Sequence, residues 1–209
     1  MRQILCLTSS PRRDTSYSNL VAARLLKELR IVHPDAAITI RDLAGSPLPH
    51  IDDDFVTATR SIAGARTSRQ RALVEQSDIL VEELLAADTI VIASAMVNFS
   101  VPSTLKAWID YVTRPGATFE YTEHGTKGLL GGRRAILVLA RGGLYSGGPM
   151  RSLEHDESYL RTVLAYLGIT DIETILIEGV GLGPEHAERA VANAIRRATS
   201  VAGVLAAAA

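Results

Sequence analysis

Three stretches of this 209-residue sequence carry side chains suited to a ligand that joins a phosphate to a flat heteroaromatic ring. The first, Ser9-Ser10-Pro11-Arg12-Arg13-Asp14-Thr15-Ser16-Tyr17-Ser18-Asn19, is dense in hydroxyls and runs straight into a helical pattern. A phosphate needs donors converging from one side, and free amides at a helix N-terminus with Ser and Thr hydroxyls supply them without a lysine. Ser10, Ser16 and Ser18 are the anchors here, with Asn19 beside them; the same residues also read as an ordinary polar turn with Ser18 as N-cap. The second stretch is Met96-Val97-Asn98-Phe99-Ser100-Val101-Pro102. Met and Phe suit the faces or edges of a flat ring, and the Asn98 amide with nearby backbone groups can pair with ring carbonyls and nitrogens. The third, Arg141-Gly142-Gly143-Leu144-Tyr145-Ser146-Gly147-Gly148, has paired glycines that let backbone amides approach a ligand closely and stabilise negative charge on it. Each of these two also reads as a strand exit that needs a turn. Other phosphate and nucleophile signatures are absent: there is no Gly-Lys-Ser/Thr and no Gly-x-Ser-x-Gly, and Gly179, Gly181 and Gly183 have the wrong spacing for a dinucleotide fingerprint.

The elements that must position these stretches alternate. Apolar runs rich in Ile, Val and Leu fall near 3–8, 37–42, 89–95, 134–140 and 172–178, the signature of strands covered on both faces. Amphipathic or well-started helical patterns fall near 19–32, 68–86, 102–112, 158–167 and 184–204. Strand and helix repeated five times imply parallel pairing through right-handed crossovers, hence an α/β/α three-layer sandwich around a five-stranded sheet. In such a doubly wound sheet ligands bind beyond the carboxyl ends of the strands where strand order reverses, which is where the three stretches fall. Two long interruptions break the repeat, 44–66 with Pro47, Pro49 and Asp52-Asp53-Asp54, and 115–132 with several glycines. In the second, Phe119 and Tyr121 alternate across Glu120 as an exposed hairpin would present them, either for an interface or ligand lid or packed on its own domain.

Composition narrows the partners. Balanced charge, 22 basic against 23 acidic residues, gives no basic footprint for nucleic acid. The lone Cys6 sits in an apolar run and reads as a buried thiol suited to a reducing cytoplasm. No stretch reaches membrane-spanning length or resembles a signal-peptide core, so the expectation is one soluble, intracellular domain over 1–209, ending at 206–209 in a fraying helix end.

Taken as a set, Ser9-Ser10, Ser16-Tyr17-Ser18-Asn19, Met96-Val97-Asn98-Phe99, Phe119-Glu120-Tyr121-Thr122-Glu123 and Arg141-Gly142-Gly143 resemble the FMN-dependent NADH:quinone oxidoreductases, also known as azoreductases, with similarity along nearly the whole chain. The resemblance implies a flavodoxin-like fold with sheet order 2-1-3-4-5, a homodimer, one FMN per subunit near the interface, NADH or NADPH as donor, and two-electron ping-pong reduction of quinones or azo compounds. It places Ser10, Ser16, Tyr17 and Ser18 on the phosphate. Met96, Val97, Asn98 and Phe99 with Ala140, Arg141, Gly142 and Gly143 would surround the flavin ring, and Asn98 and Tyr121 would face the substrate. Three positions depart from the family pattern: Val97 replaces a Tyr, Ala140 a Ser, and Val163 an aromatic that lines the pocket. The first and third make the acceptor pocket wider or less aromatic. No side chain acts as a general acid, since the flavin carries the chemistry, no metal is expected, and His124, His155 and His186 read as exposed and idle. The alternatives are a flavodoxin-type one-electron carrier, against which the balanced charge argues because such carriers steer to basic partners with acidic surfaces, and a flavin-free binding domain.

Overall fold

The structure, a computed structural model, describes residues 3–207. Among the described residues there are seven strands: β1 (Gln3–Thr8), β2 (Ala37–Asp42), β3 (Thr89–Ala95), β4 (Phe119–Thr122), β5 (Gly125–Gly128), β6 (Arg134–Arg141) and β7 (Asp171–Glu178). Five form a parallel sheet in the order β2-β1-β3-β6-β7, while β4 and β5 form a separate antiparallel hairpin. The expected order 2-1-3-4-5 differs from this in numbering, because the hairpin strands intervene before the last two strands of the sheet.

Period-two alternation divides the core between the two faces of the sheet. Ile4, Cys6, Val91, Ala93, Ile136, Val138, Ile175 and Ile177 meet α1 (Tyr17–Val32) and α6 (Pro184–Ala207), whose Leu25, Leu29, Ala198 and Val201 are buried against them. Leu5, Leu7, Ile90, Ile92, Leu137 and Leu139 face the other way, onto α3 (Ser68–Ala86), α4 (Ser103–Val112) and α5 (Glu157–Tyr166). Central β3 is buried along nearly its whole length, which is why its run reads as continuous rather than alternating apolar sequence. Cys6 is 1 % exposed and burial pushes its thiol up to about 12, so it behaves as a small apolar filler.

The first interruption contains a helix, α2 (Asp53–Arg60). The acidic run supplies its N-terminus: Asp52 is the cap, accepting the Phe55 amide at 3.0 Å, and Asp53 and Asp54 lie in the first turn against the positive helix end. Phe55 then packs on Tyr111 of α4, ring centroids 4.6 Å apart. The second interruption is the hairpin, fixed at its base by Gly128. A Cβ there would lie 2.1 Å from the Leu167 carbonyl carbon, so only glycine lets the hairpin seat on the end of α5. Its two aromatics part ways. Phe119 is buried and packs on Tyr166 and Tyr121, at 5.0 and 5.4 Å between centroids, whereas Tyr121 is 73 % exposed.

Candidate functional site

The loop after β1 builds a hydroxyl-lined helix start. Ser9 is anchored to the neighbouring strand, its amide and hydroxyl both donating to the Ala93 carbonyl at 3.1 and 3.2 Å. Arg13, at φ 44°, reverses the chain so that its carbonyl accepts both the Ser16 amide and the Asn19 side-chain amide, each at 3.1 Å. The N-cap of α1 is Ser16, not Ser18: its Oγ accepts the Asn19 amide at 3.3 Å and lies 3.0 Å from the Ser18 hydroxyl. Four amides at a helix start lack intrahelical partners by geometry. With Ser16 and Asn19 satisfied in this way, those of Tyr17 and Ser18 remain at the positive end of the helix dipole, beside the buried hydroxyls of Ser10, Ser16 and Ser18. Such a donor set fits a phosphate dianion.

After β3 the chain makes a tight turn held by reciprocal backbone bonds, Val97 amide to Ser100 carbonyl at 2.9 Å and Ser100 amide to Val97 carbonyl at 3.1 Å. Its central residues, Asn98 and Phe99, have φ 47° and 74°. That is the mirror-image turn which Asn-Gly favours, and a bulky aromatic in the second position stores roughly 1–3 kcal/mol of strain. The turn is over-determined by its surroundings. Met96 donates its amide to the Ala140 carbonyl at 2.9 Å, and the His155 amide donates to the Phe99 carbonyl at 2.9 Å. Replacing Phe99 with Gly is therefore expected to leave thermal stability unchanged or raise it by up to about 1 kcal/mol, since Gly takes positive φ freely. A drop in melting temperature of more than 2 °C, about the least expected for 1 kcal/mol in a chain of this size, would show that the turn is not strained.

The loop after β6 is held from behind. The carbonyls of Arg141, Gly142 and Gly143 accept the amides of Val180, Gly181 and Gly179 at 3.2, 2.9 and 3.0 Å, tying it to the exit of β7. This approach leaves no room at Gly181, where a Cβ would stand 3.0 Å from the Gly142 carbonyl oxygen. Tyr145 reaches across to Phe99, ring centroids 6.3 Å apart and edge to face, so the β3 and β6 loops meet. The Arg141 side chain is fully buried among carboxylates, with Asp156 at 2.9 Å, Glu178 at 3.0 Å, and Glu154 and Glu157 at 3.4 Å. Burial, helped by a shared hydrogen bond with Glu154, pushes the Asp156 carboxyl up to about 7 against the pull of Arg141. Burial would also raise Glu154 and Glu178, but hydrogen bonds and Arg141 hold both below the ordinary range.

The loops thus assemble Ser10, Ser16, Tyr17 and Ser18 at one strand end and bring Met96 to Phe99 beside Ala140 to Gly143 at the next two. Within that set Arg141 turns its side chain into the protein, leaving only its backbone at the loop, and Ala140 is buried on the α1 and α6 face. Val97, Phe99 and Leu144 keep 38, 42 and 56 % of their surface in water, an apolar rim. The other two residues lie elsewhere. Val163 is half-buried and lines a small apolar cavity with Trp108, Leu160 and Leu164, and Tyr121 stands out on the hairpin. A shallow cleft of about 340 Å³ borders the β3 turn, lined by Ser100, His155, Ser158, Tyr159 and Thr162. The imidazoles of His124, His155 and His186 are exposed, although the His155 backbone pins the turn. Sequence reasoning missed Glu178 and Asp156; the one available signal was an acidic residue closing an apolar strand immediately before a glycine. Among the described residues no group of His, Cys, Asp and Glu is arranged to hold a metal, and no helix is long and apolar enough to cross a membrane.

Comparison with known proteins places this geometry. The family defined by the flavodoxin-like fold matches residues 2–201. The chain is 52 % identical over 202 residues to FMN-dependent NADH:quinone oxidoreductase 1 of Rhizobium etli, covering 97 % of this chain and 98 % of that protein. It is 41 % identical to FMN-dependent NADH:quinone oxidoreductase of Azotobacter vinelandii, covering 97 % of this chain and 100 % of the relative. Among solved structures, an azoreductase from Bacillus anthracis superposes with a TM-score of 0.90 at 30 % identity, over 97 % of this chain and 99 % of that one. An FMN-dependent NADH-azoreductase from the same species, in complex with FMN, also gives 0.90 at 26 % identity, covering 99 and 100 % of the two chains.

Proposed function

The chain belongs to the flavodoxin-like family of FMN-dependent NADH:quinone oxidoreductases and azoreductases, and from that membership we propose that it is an FMN enzyme which passes two electrons from NADH or NADPH to quinones or azo compounds by a ping-pong cycle. The observation that carries the reading is the conjunction, on the two central strands where sheet order reverses, of a hydroxyl-lined helix start after β1 and a strained, apolar turn after β3. Bound FMN supplies the redox chemistry, taking electrons from the nicotinamide and giving them to the acceptor.

The protein's own part is binding and positioning. Ser10, Ser16 and Ser18 with the Tyr17 and Ser18 amides bind the phosphate, and the helix dipole favours its charge. The strained turn presents Met96, Val97, Asn98 and Phe99 to the ring without further reorganisation, which is the use of rigidity in a site that must hold two flat molecules in register. Ala140 to Gly143 close the opposite edge through backbone alone. With Val97 in place of a larger aromatic, the acceptor pocket is wide, and bulky flat acceptors fit it. Protons for azo reduction come from water at the open rim.

Residues 1–209 act as one FMN-binding unit that works as a homodimer, a reading supported by the exposure of Tyr121 on a rigidly seated hairpin. Tyr121 then reaches a neighbouring subunit's acceptor pocket together with Asn98. Tyr121→Ala is expected to change kcat/KM for at least one quinone or azo acceptor by tenfold or more while FMN content stays at one per chain. Unchanged kinetics for every acceptor would remove Tyr121 from the pocket. The cycle itself is tested by initial rates at varied NADH and quinone: parallel double-reciprocal lines support it, and intersecting lines contradict it.

A further inference from the structure

We infer that Glu178 is a positioning residue for the flavin-side loop 142–148, holding that loop in the shape that accepts FMN; this rests on the FMN reading above. Glu178 closes β7, and its carboxylate gathers four donors. Oε1 accepts the Tyr145 amide at 2.8 Å, the Ser146 amide at 2.9 Å and Arg141 Nη1 at 3.0 Å, and Oε2 accepts the Ser146 hydroxyl. Three of the four come from one loop.

That loop needs a clamp. Gly142, Gly143, Gly147 and Gly148 give it a large conformational entropy when free, and every ordered residue must be offset by fixed contacts. The carbonyls of Gly142 and Gly143 anchor its first half to residues 179 and 181. The second half is held by Glu178, with Tyr145 resting on Phe99. One carboxylate therefore couples the β6 loop to the β3 turn. The Tyr145 and Ser146 amides are spent on Glu178, so any donors this loop offers a ligand come from its glycines.

The surroundings make the residue open to test. Arg141 faces four carboxylates, so removing Glu178 leaves the buried cation still paired with Asp156, Glu154 and Glu157 and lessens the excess of negative charge. Glu178→Ala should thus fold while freeing the loop. Glu178→Gln keeps one oxygen to accept the two amides and loses only the charge.

The experiment is amide hydrogen exchange on the full chain, with and without added FMN, combined with FMN titration followed by flavin fluorescence. In Glu178→Ala, exchange at Tyr145 and Ser146 should quicken at least tenfold, since a charge-assisted acceptor is lost, and the FMN Kd should rise at least tenfold while exchange in the β1 loop stays within twofold. Glu178→Gln should recover more than half of both effects on a logarithmic scale, which a role in global stability would not produce. Unchanged exchange at 145 and 146 overturns the clamp, and faster exchange with an unchanged Kd overturns its bearing on FMN. Should the Ala variant fail to fold, Ser146→Ala carries the test, with exchange at Ser146 at least threefold faster or the clamp rejected. Failure of the wild-type chain to bind FMN at all would sink the proposed function instead, leaving the exchange result to judge Glu178 by itself.

Discussion

Ser16→Asp is expected to weaken FMN binding at least 100-fold while leaving the fold as stable as before. The two effects separate because Ser16 does two jobs with one oxygen. As N-cap of α1 it accepts the Asn19 amide, and Asp performs that task as well as Ser. In the proposed phosphate cradle it offers a hydroxyl proton, in contact with the Ser18 hydroxyl at 3.0 Å, and Asp offers a negative charge instead. Two like charges about 4 Å apart in partly buried surroundings repel by roughly 4 kcal/mol at an effective dielectric constant near 20. Half of that surviving relaxation would still cost about 30-fold, and the lost hydroxyl bond adds about tenfold more. Ser16→Gly, by contrast, should cost only about tenfold in affinity and a few tenths of a kcal/mol in capping. Titration of the apoproteins with FMN, together with thermal unfolding, reads both quantities. Retention of FMN by Ser16→Asp within threefold of wild type would move the phosphate away from this helix start.

Arg141→Met should destabilise the protein by about 3–5 kcal/mol at pH 8, because it removes the cation that four buried or half-buried carboxylates share, of which Glu157 keeps Arg161 at 2.9 Å. For a chain of this length that corresponds to a fall of roughly 6–20 °C in melting temperature. The loss should shrink at lower pH, and the sign follows from linkage. Asp156 titrates near 7 in the folded protein against an ordinary value of 3.8, so between those values the folded state holds a proton that the unfolded state has lost. Its contribution to stability is full below the unfolded value and fades as pH rises through 7. Glu154 and Glu178, held low, act oppositely, but only in the acid range below their ordinary values, so Asp156 governs the window from pH 5 to 8. Without Arg141 the carboxyls of Asp156, Glu154 and Glu178 rise, and the pH dependence steepens. Urea unfolding of both proteins at pH 6 and pH 8 tests this. Equal destabilisation at the two pH values would mean that the cluster stays ionised throughout.

Much of this architecture could be read in the sequence because the physics was local. Parallel strands buried on both faces leave apolar runs, and helices with one buried stripe leave 3.6-residue patterns, so all five sheet strands and five of the six helices were legible. Helix α2 was not, since its apolar face rests on little more than Phe55 and Ala58, and its acidic cap looks like a loop when its partner, the Phe55 amide, is unseen. The hydroxyl-rich β1 loop running into a helix start was legible, yet which serine caps the helix depended on Arg13 taking a left-handed conformation that its side chain does not announce. The strain at Asn98 and Phe99 was hidden for the same reason: the sequence lacks the glycine that usually marks such a turn. The Arg141 cluster joins residues 13 to 37 positions apart, too far for any local pattern, and the two fates of Phe119 and Tyr121 were decided by Tyr166 on another element.

The central claim, that this chain holds FMN and passes electrons in pairs from a nicotinamide to a small acceptor, is tested most directly by anaerobic titration of the FMN-loaded protein with NADH, followed by a benzoquinone. Stoichiometric bleaching of the flavin absorbance by one NADH per flavin, and full recovery with one quinone per flavin, is the predicted result. Absence of bleaching by NADH and by NADPH, or build-up of a long-lived one-electron form, would contradict it and favour a one-electron carrier.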